Sequence, residues 1–184
     1  MSRLNELLQQ AGNIGRNEDG SITRLGFSEK YFQVLEFLKG RMQELGMQVE
    51  TDPVGNLHGV LQGSDPEAKS IVIGSHMDTV MQGGVYDGML GVTGAKYSTP
   101  YDPRLIKLID DVCTEKGISH IIMPSGAGHD ANSMAHEGVP IGMIFVPSVK
   151  GISHQGDEYT KPEHIDLGAD VLYQTVLKLD ENGF

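Results

Sequence analysis

Three short apolar runs constrain this chain most: Ser70-Ile71-Val72-Ile73-Gly74, Ile118 to Met123 and Ile141 to Val146. The first is continuous and bounded by small residues, which suits a strand buried on both faces. The other two read as further strands. Between them lie segments of helical period. Leu4, Leu7 and Leu8 share one face within residues 2–11. Ser28 is placed as an N-cap, Tyr31, Leu35, Leu38, Met42 and Leu45 follow on one face, and Gly46 stands at the C′ position. Met47, Val49 and Thr51 alternate, Asp52 to Asn56 is a turn, and Leu57 to Leu61 returns as a hairpin partner. Asp102-Pro103 caps a helix carrying Leu105, Ile106, Ile109, Val112 and Cys113, which Gly117 stops. A short helix is expected at 130–137 and a last one from about Glu163 to Leu179. Helices alternating with apolar strands predict an α/β fold with a mostly covered sheet.

The length of 184 residues favours one domain. A balance of 14 Lys and Arg against 25 Asp and Glu, a formal charge of −11, speaks against non-specific binding to nucleic acid or to an anionic membrane face. No apolar run reaches a membrane span, and the start, Met1-Ser2-Arg3-Leu4-Asn5-Glu6, is unlike a secretory signal. The one cysteine, Cys113, has no internal disulfide partner, so a cytoplasmic protein is expected. The 24 glycines, without low complexity, suggest tight turns around a site.

Four segments carry candidate chemistry. Gly74-Ser75-His76-Met77-Asp78-Thr79 follows the first apolar run. Strand ends are where α/β sheets place their sites. In extended backbone His76 and Asp78 point to the same side, and a carboxylate there can accept the second ring N–H of the imidazole, fixing its tautomer as a metal ligand. A buried His–Asp pair of purely structural role has the same spacing. Gly83-Gly84-Val85-Tyr86-Asp87-Gly88 holds an aspartate that is either a turn residue or a carboxylate able to bridge two divalent ions. Ser125-Gly126-Ala127-Gly128-His129-Asp130-Ala131 has the outline of a dinucleotide loop, but position 150, where an acidic residue would be needed, is Lys150. Gly151-Ile152-Ser153-His154-Gln155-Gly156-Asp157-Glu158 puts a histidine after the third run, as a ligand or as a solvated loop residue. His58, His120, His136 and His164 read as surface or packing residues.

Taken in order, these segments resemble the metal-dependent amidohydrolases related to allantoate amidohydrolase, N-carbamoyl-L-amino-acid hydrolase and β-ureidopropionase, within the superfamily of dinuclear zinc peptidases. Residues of about 1–95 are similar to the start of that catalytic domain and about 97–184 to its end. The resemblance implies a three-layer sandwich with a mixed, mostly buried sheet flanked by helices. It implies His76 as ligand of one metal, Asp87 as bridge, His154 as ligand of the other, and Asp78 supporting His76. Ser125, Gly126, Gly128 and His129 would line the substrate side. The implied cofactor is a divalent metal, zinc first, with manganese or cobalt also suited to His/Asp ligands. The implied reaction is hydrolysis of a linear C–N bond in a small carboxylated substrate such as an N-carbamoyl amino acid or allantoate.

The sequence also departs from that family. There, the loop with the bridging aspartate leads through a helix to a strand ending in a Glu-Glu pair, one activating water and one a ligand, and then to an inserted lid and dimerisation domain. Here Gly91-Val92-Thr93-Gly94-Ala95 runs straight into Lys96-Tyr97-Ser98-Thr99-Pro100, and no Glu-Glu pair occurs anywhere. The expected organisation is one catalytic-type domain, residues 1–184, with a deletion junction near 95–97. With three candidate ligands, one zinc site is expected rather than two. Hydrolysis is expected to be absent or very slow, because metal, base and substrate clamp act as a unit. A missing core strand would expose apolar surface, so self-association is expected. The alternatives are an inactive zinc-binding remnant, a zinc exopeptidase-type activity, or a nucleotide-binding module resting only on Gly126 and Gly128.

Overall fold

Helix starts follow the capping chemistry. In the computed structural model, which describes residues 2–84, 101–125 and 129–182, Ser2 caps α1 (Arg3–Gly12), its hydroxyl accepting from the Asn5 N–H at 3.3 Å. Ser28 caps α2 (Glu29–Glu44) by accepting from the Tyr31 N–H at 3.2 Å, and Gly46 ends it with φ of 77°. Asp102 caps α3 (Pro103–Glu115), accepting from the Arg104 N–H at 2.8 Å, and Gly117 follows with φ of 66°. Two more helices, α4 (Asp130–His136) and α5 (Pro162–Asn182), complete the helices of more than one turn among the described residues.

The chain divides into two units. The first comprises Met1–Met89 and Lys150–Tyr159. It holds α1, α2 and an antiparallel hairpin of β1 (Gln48–Thr51) and β2 (Leu57–Val60), in which Val49 faces Gly59 and Thr51 faces Leu57. α2 packs on the hairpin. A Cβ at Gly59 would lie 2.9 Å from the sulfurs of both Met42 and Met47, so a larger residue there would make these methionine side chains move. Ile22, Val34 and Leu35 are buried in this unit. The segment around Ile22 is laced to residues 79–83. Ile22 and Gly83 exchange two backbone hydrogen bonds at 2.8 Å each, and the Thr79 N–H donates to the Arg24 carbonyl at 2.9 Å.

The second unit comprises Leu90–Val149 and Thr160–Phe184. Val112, Cys113 and Val171 form its core, with Ile109, Ile118 and Ile144 packed against them. Ion pairs from Lys116 to Asp170 at 2.9 Å and from Lys178 to Glu115 at 2.6 Å tie α3 to α5. At exposed positions such pairs contribute little beyond orientation.

Helices with a sheet make the α/β class. The sheet, however, is smaller than the three runs predicted. Residues 70–74, 118–123 and 141–146 form no ladder among the described residues. Val72 is 76% and Ile121 79% exposed, so these two segments are not the covered strands that their composition suggests. A strand apolar on both faces needs a neighbour on each edge and a layer on each side, and the described sheet is a two-stranded hairpin. No helix among the described residues is long and apolar enough to cross a membrane.

Candidate functional site

His76 and Asp78 are brought together as their spacing predicts. The His76 Nδ1 lies 3.0 Å from the Asp78 backbone carbonyl and 3.2 Å from its carboxylate. A carbonyl oxygen can only accept, so in the neutral ring Nδ1 carries the proton and Nε2 the lone pair. Nε2 is buried. This is the orientation that a metal-ligating imidazole takes, with a carboxylate holding the nitrogen turned away from the ion.

His154 belongs to the same unit, on the loop between Gly151 and Thr160. Its backbone has φ of 59°, and its N–H donates to the Glu158 carboxylate at 2.7 Å, which braces the turn. Gln82, with φ of 57°, is also in the left-handed region that non-glycine residues rarely adopt. Both line one cleft of about 370 Å3, together with Asp19, Ser21, Gln155 and Asp157. Strained backbone of this kind gathers where a site constrains side-chain direction. Hydrogen bonds from the Ser21 hydroxyl and N–H hold the Asp19 carboxyl below the usual range, so it stays ionised in that cleft.

Glycines bring two of the motifs into contact. A Cβ at Gly84 would lie 2.6 Å from the Glu158 Cβ and 3.0 Å from the Gln155 carbonyl, and one at Gly156 would lie 3.0 Å from the Ser21 Cβ. The start of Gly83-Gly84-Val85-Tyr86-Asp87 therefore runs directly against the His154 loop. Asp87 itself, Gly126, Gly128 and the junction near 95–97 lie outside the described residues.

The imidazole and carboxylate donors suit a borderline divalent cation. Among the described residues, though, no group of three or more His, Cys, Asp or Glu side chains is arranged to hold one. His76 and His154 are two candidate ligands, and two alone do not make a site.

In the second unit Ser125 and His129 meet, Ser125 Oγ lying 2.7 Å from His129 Nε2. The His129 ring lies 5.5 Å from that of Phe145. Beside them Tyr101 donates its hydroxyl to Asn132 Oδ1 at 2.7 Å, and burial pushes its phenol upward. The hydroxyl–imidazole pair can donate to and accept from a polar ligand. Of the histidines read as ordinary, His120 is held between the Ile118 carbonyl at 2.7 Å and Asp110 at 2.8 Å.

Arg24 and Gln82 are not among the residues that the sequence singles out. Nothing in their neighbours signals a buried guanidinium or a left-handed glutamine. The doubled glycine at 83–84 is the one visible hint of close backbone approach.

The described residues thus show an α/β frame with a carboxylate-oriented histidine and a histidine loop in the left-handed region. A crystal structure from Burkholderia cenocepacia, provisionally described as an amidohydrolase/peptidase, has the same fold, with a TM-score of 0.87 at 16% identity over 96% of this chain and 97% of that one. Residues 86–178 match the sequence profile of peptidase family M20/M25/M40, and the chain belongs to that family. The N-carbamoyl-L-amino acid amidohydrolase of Geobacillus stearothermophilus is 38% identical over 90 residues, which is 49% of this chain and 22% of that protein. The allantoate amidohydrolase of Bacillus subtilis is 35% identical over 92 residues, 50% of this chain and 22% of that protein. The chain thus matches about a fifth of the length of these relatives.

Proposed function

We propose that this chain is a catalytic-type domain of an M20 hydrolase that lacks its middle segment, with the junction near Ala95–Tyr97, and that it holds one divalent ion on His76, Asp87 and His154. The observation that carries this reading is the close approach at Gly84, which sets the start of the Gly83-Gly84 segment against Gln155 and Glu158 of the His154 loop. Zinc fits three such ligands plus water, and manganese or cobalt would also be accepted. The chemistry descends from hydrolysis of a linear C–N bond in a small carboxylated substrate, as the names of the carbamoyl and allantoate relatives suggest. A bound divalent ion supplies polarisation of a carbonyl and a water of lowered pKa. The chain's own part at that ion is to orient the His76 ring through Asp78; in the second unit the Ser125–His129 pair, with Gly126 and Gly128, is a separate candidate for polar contacts to a ligand.

The absence of a Glu-Glu pair favours a second reading, a metal-binding remnant with little or no turnover. The two separate by ammonia release from N-carbamoyl amino acids and allantoate with zinc, manganese or cobalt added. A slow rate abolished by chelator and by His76→Ala supports the hydrolase. No rate with any metal supports the remnant. A rate insensitive to both treatments overturns both readings, and cleavage of dipeptides instead points to an exopeptidase. The exposed apolar side chains of Ile71 to Ile73 and of Ile121 to Met123 support self-association, which light scattering tests. A monodisperse monomer contradicts it.

A further inference from the structure

Arg24 is one of the few buried charged residues, 7% exposed. A guanidinium removed from water is costly unless its donors are satisfied. Here they reach three backbone carbonyls. Nη1 donates to Ala11 at 3.2 Å and to Ile14 at 2.9 Å, at the C-terminal end of α1 where carbonyl groups are left over and the helix dipole favours a cation. Nε donates to the carbonyl of Met77. Met77 is the residue between His76 and Asp78.

The backbone of Arg24 grips Thr79, two residues beyond Met77. Its N–H donates to Thr79 Oγ1 at 2.9 Å, and its carbonyl accepts from the Thr79 N–H at 2.9 Å. Thr79 is itself buried, its hydroxyl within 2.9 Å of the Val80 carbonyl. The loop 76–79 is therefore held at Met77 by a side chain and at Thr79 by a backbone pair, both from Arg24. The residues left to project from it are His76 and Asp78. Their pairing depends on the backbone on both sides of Asp78, because Nδ1 contacts the Asp78 carbonyl, in the peptide that leads to Thr79, as well as the Asp78 carboxylate. Rotation of the Met77–Asp78 segment would break both contacts together.

We propose that Arg24 is the positioning residue for the His76–Asp78 pair: by fixing the Met77 carbonyl to the end of α1 it holds the His76 ring as the Nδ1–H tautomer, with Nε2 as the lone-pair nitrogen. Its importance for function rests on His76 being a metal ligand, but its effect is readable without any metal. A lysine at this position keeps the charge and loses the planar fork that spans three carbonyls.

The test is nitrogen-15 NMR of the His76 ring in the metal-free chain, at about pH 8.5 where a free imidazole is neutral. In the unaltered chain Nδ1 is expected at a protonated and Nε2 at an unprotonated shift. Arg24→Met is expected to bring the two shifts together as the tautomers mix, and Arg24→Lys to recover part of the separation. A purely structural role would lower the unfolding midpoint and leave the separation in the folded state untouched. Either folded variant keeping the full separation overturns the proposal, and if the methionine variant does not fold the lysine variant decides alone. Failure to bind zinc, by contrast, would strike the ligand reading and leave this result standing.

Discussion

Gly84→Ala is the most direct probe of how the His154 loop is held. The added Cβ would sit 2.6 Å from the Glu158 Cβ and 3.0 Å from the Gln155 carbonyl. Carbon atoms in contact settle at about 3.5–4.0 Å, so one backbone must retreat by about 1 Å. Neither neighbour is the flexible end of a side chain. Overpacking of this kind costs about 1–3 kcal/mol. At an m-value of about 2 kcal/mol per molar urea the midpoint falls by on the order of 1 M. The same retreat moves Glu158, whose carboxylate accepts from the His154 N–H, so the amide signals of 154–158 should shift with it. Gly63→Ala is the control: a Cβ there meets nothing within 4 Å and its backbone is not in the left-handed region. It should change stability by less than about 0.5 kcal/mol. Urea unfolding followed by circular dichroism, with amide spectra of both variants, makes the comparison. Equal midpoints for the two variants, with unmoved 154–158 signals, would refute the close approach on which the site reading depends.

Other outcomes follow from local features. Ser28→Ala removes the cap of α2 and should cost about 1 kcal/mol in urea unfolding, whereas Ser28→Asp should restore most of it. His120 is held above its ordinary value, first by the Ile118 carbonyl and then by Asp110. Its contribution is thus fully present below the unfolded pKa of about 6.5 and is lost as pH rises through the higher folded value. Thermal midpoints across pH 5–9 should show this dependence, and His120→Gln should flatten it. Burial, then Asp110, pushes the Cys113 thiol up, so a thiol reagent should label the folded chain slowly and the urea-unfolded chain rapidly. Equal labelling rates would contradict the core described around Val112 and Val171.

The helices were legible because their signals are local. Ser28, Asp102, Gly46 and Gly117 each act through bonds or dihedrals within a few residues, and each stands where it was expected. α1 begins one residue and α5 one residue from the expected starts, while α5 continues three residues past Leu179, to Asn182. The apolar runs behaved otherwise. Ile71 to Ile73 has the composition of a covered strand, but pairing is a property of neighbours distant in sequence, and composition cannot supply them. At the site, the His76–Asp78 pair was readable because alternation along the chain places both side chains together. Arg24 was not, because it acts on Met77 across 53 positions through the backbone, which leaves no mark on the identity of Met77. The pairing of Ser125 with His129 has a short span, four residues, yet their hydroxyl–imidazole contact depends on the turn that carries them.

In the proposed function His76, Asp87 and His154 hold one divalent ion. Calorimetric titration of the chelator-stripped chain with zinc tests it directly. Saturable binding near one ion per chain, lost in His154→Ala and in His76→Ala, is expected. Absence of saturable binding, or binding that survives both substitutions, would contradict it.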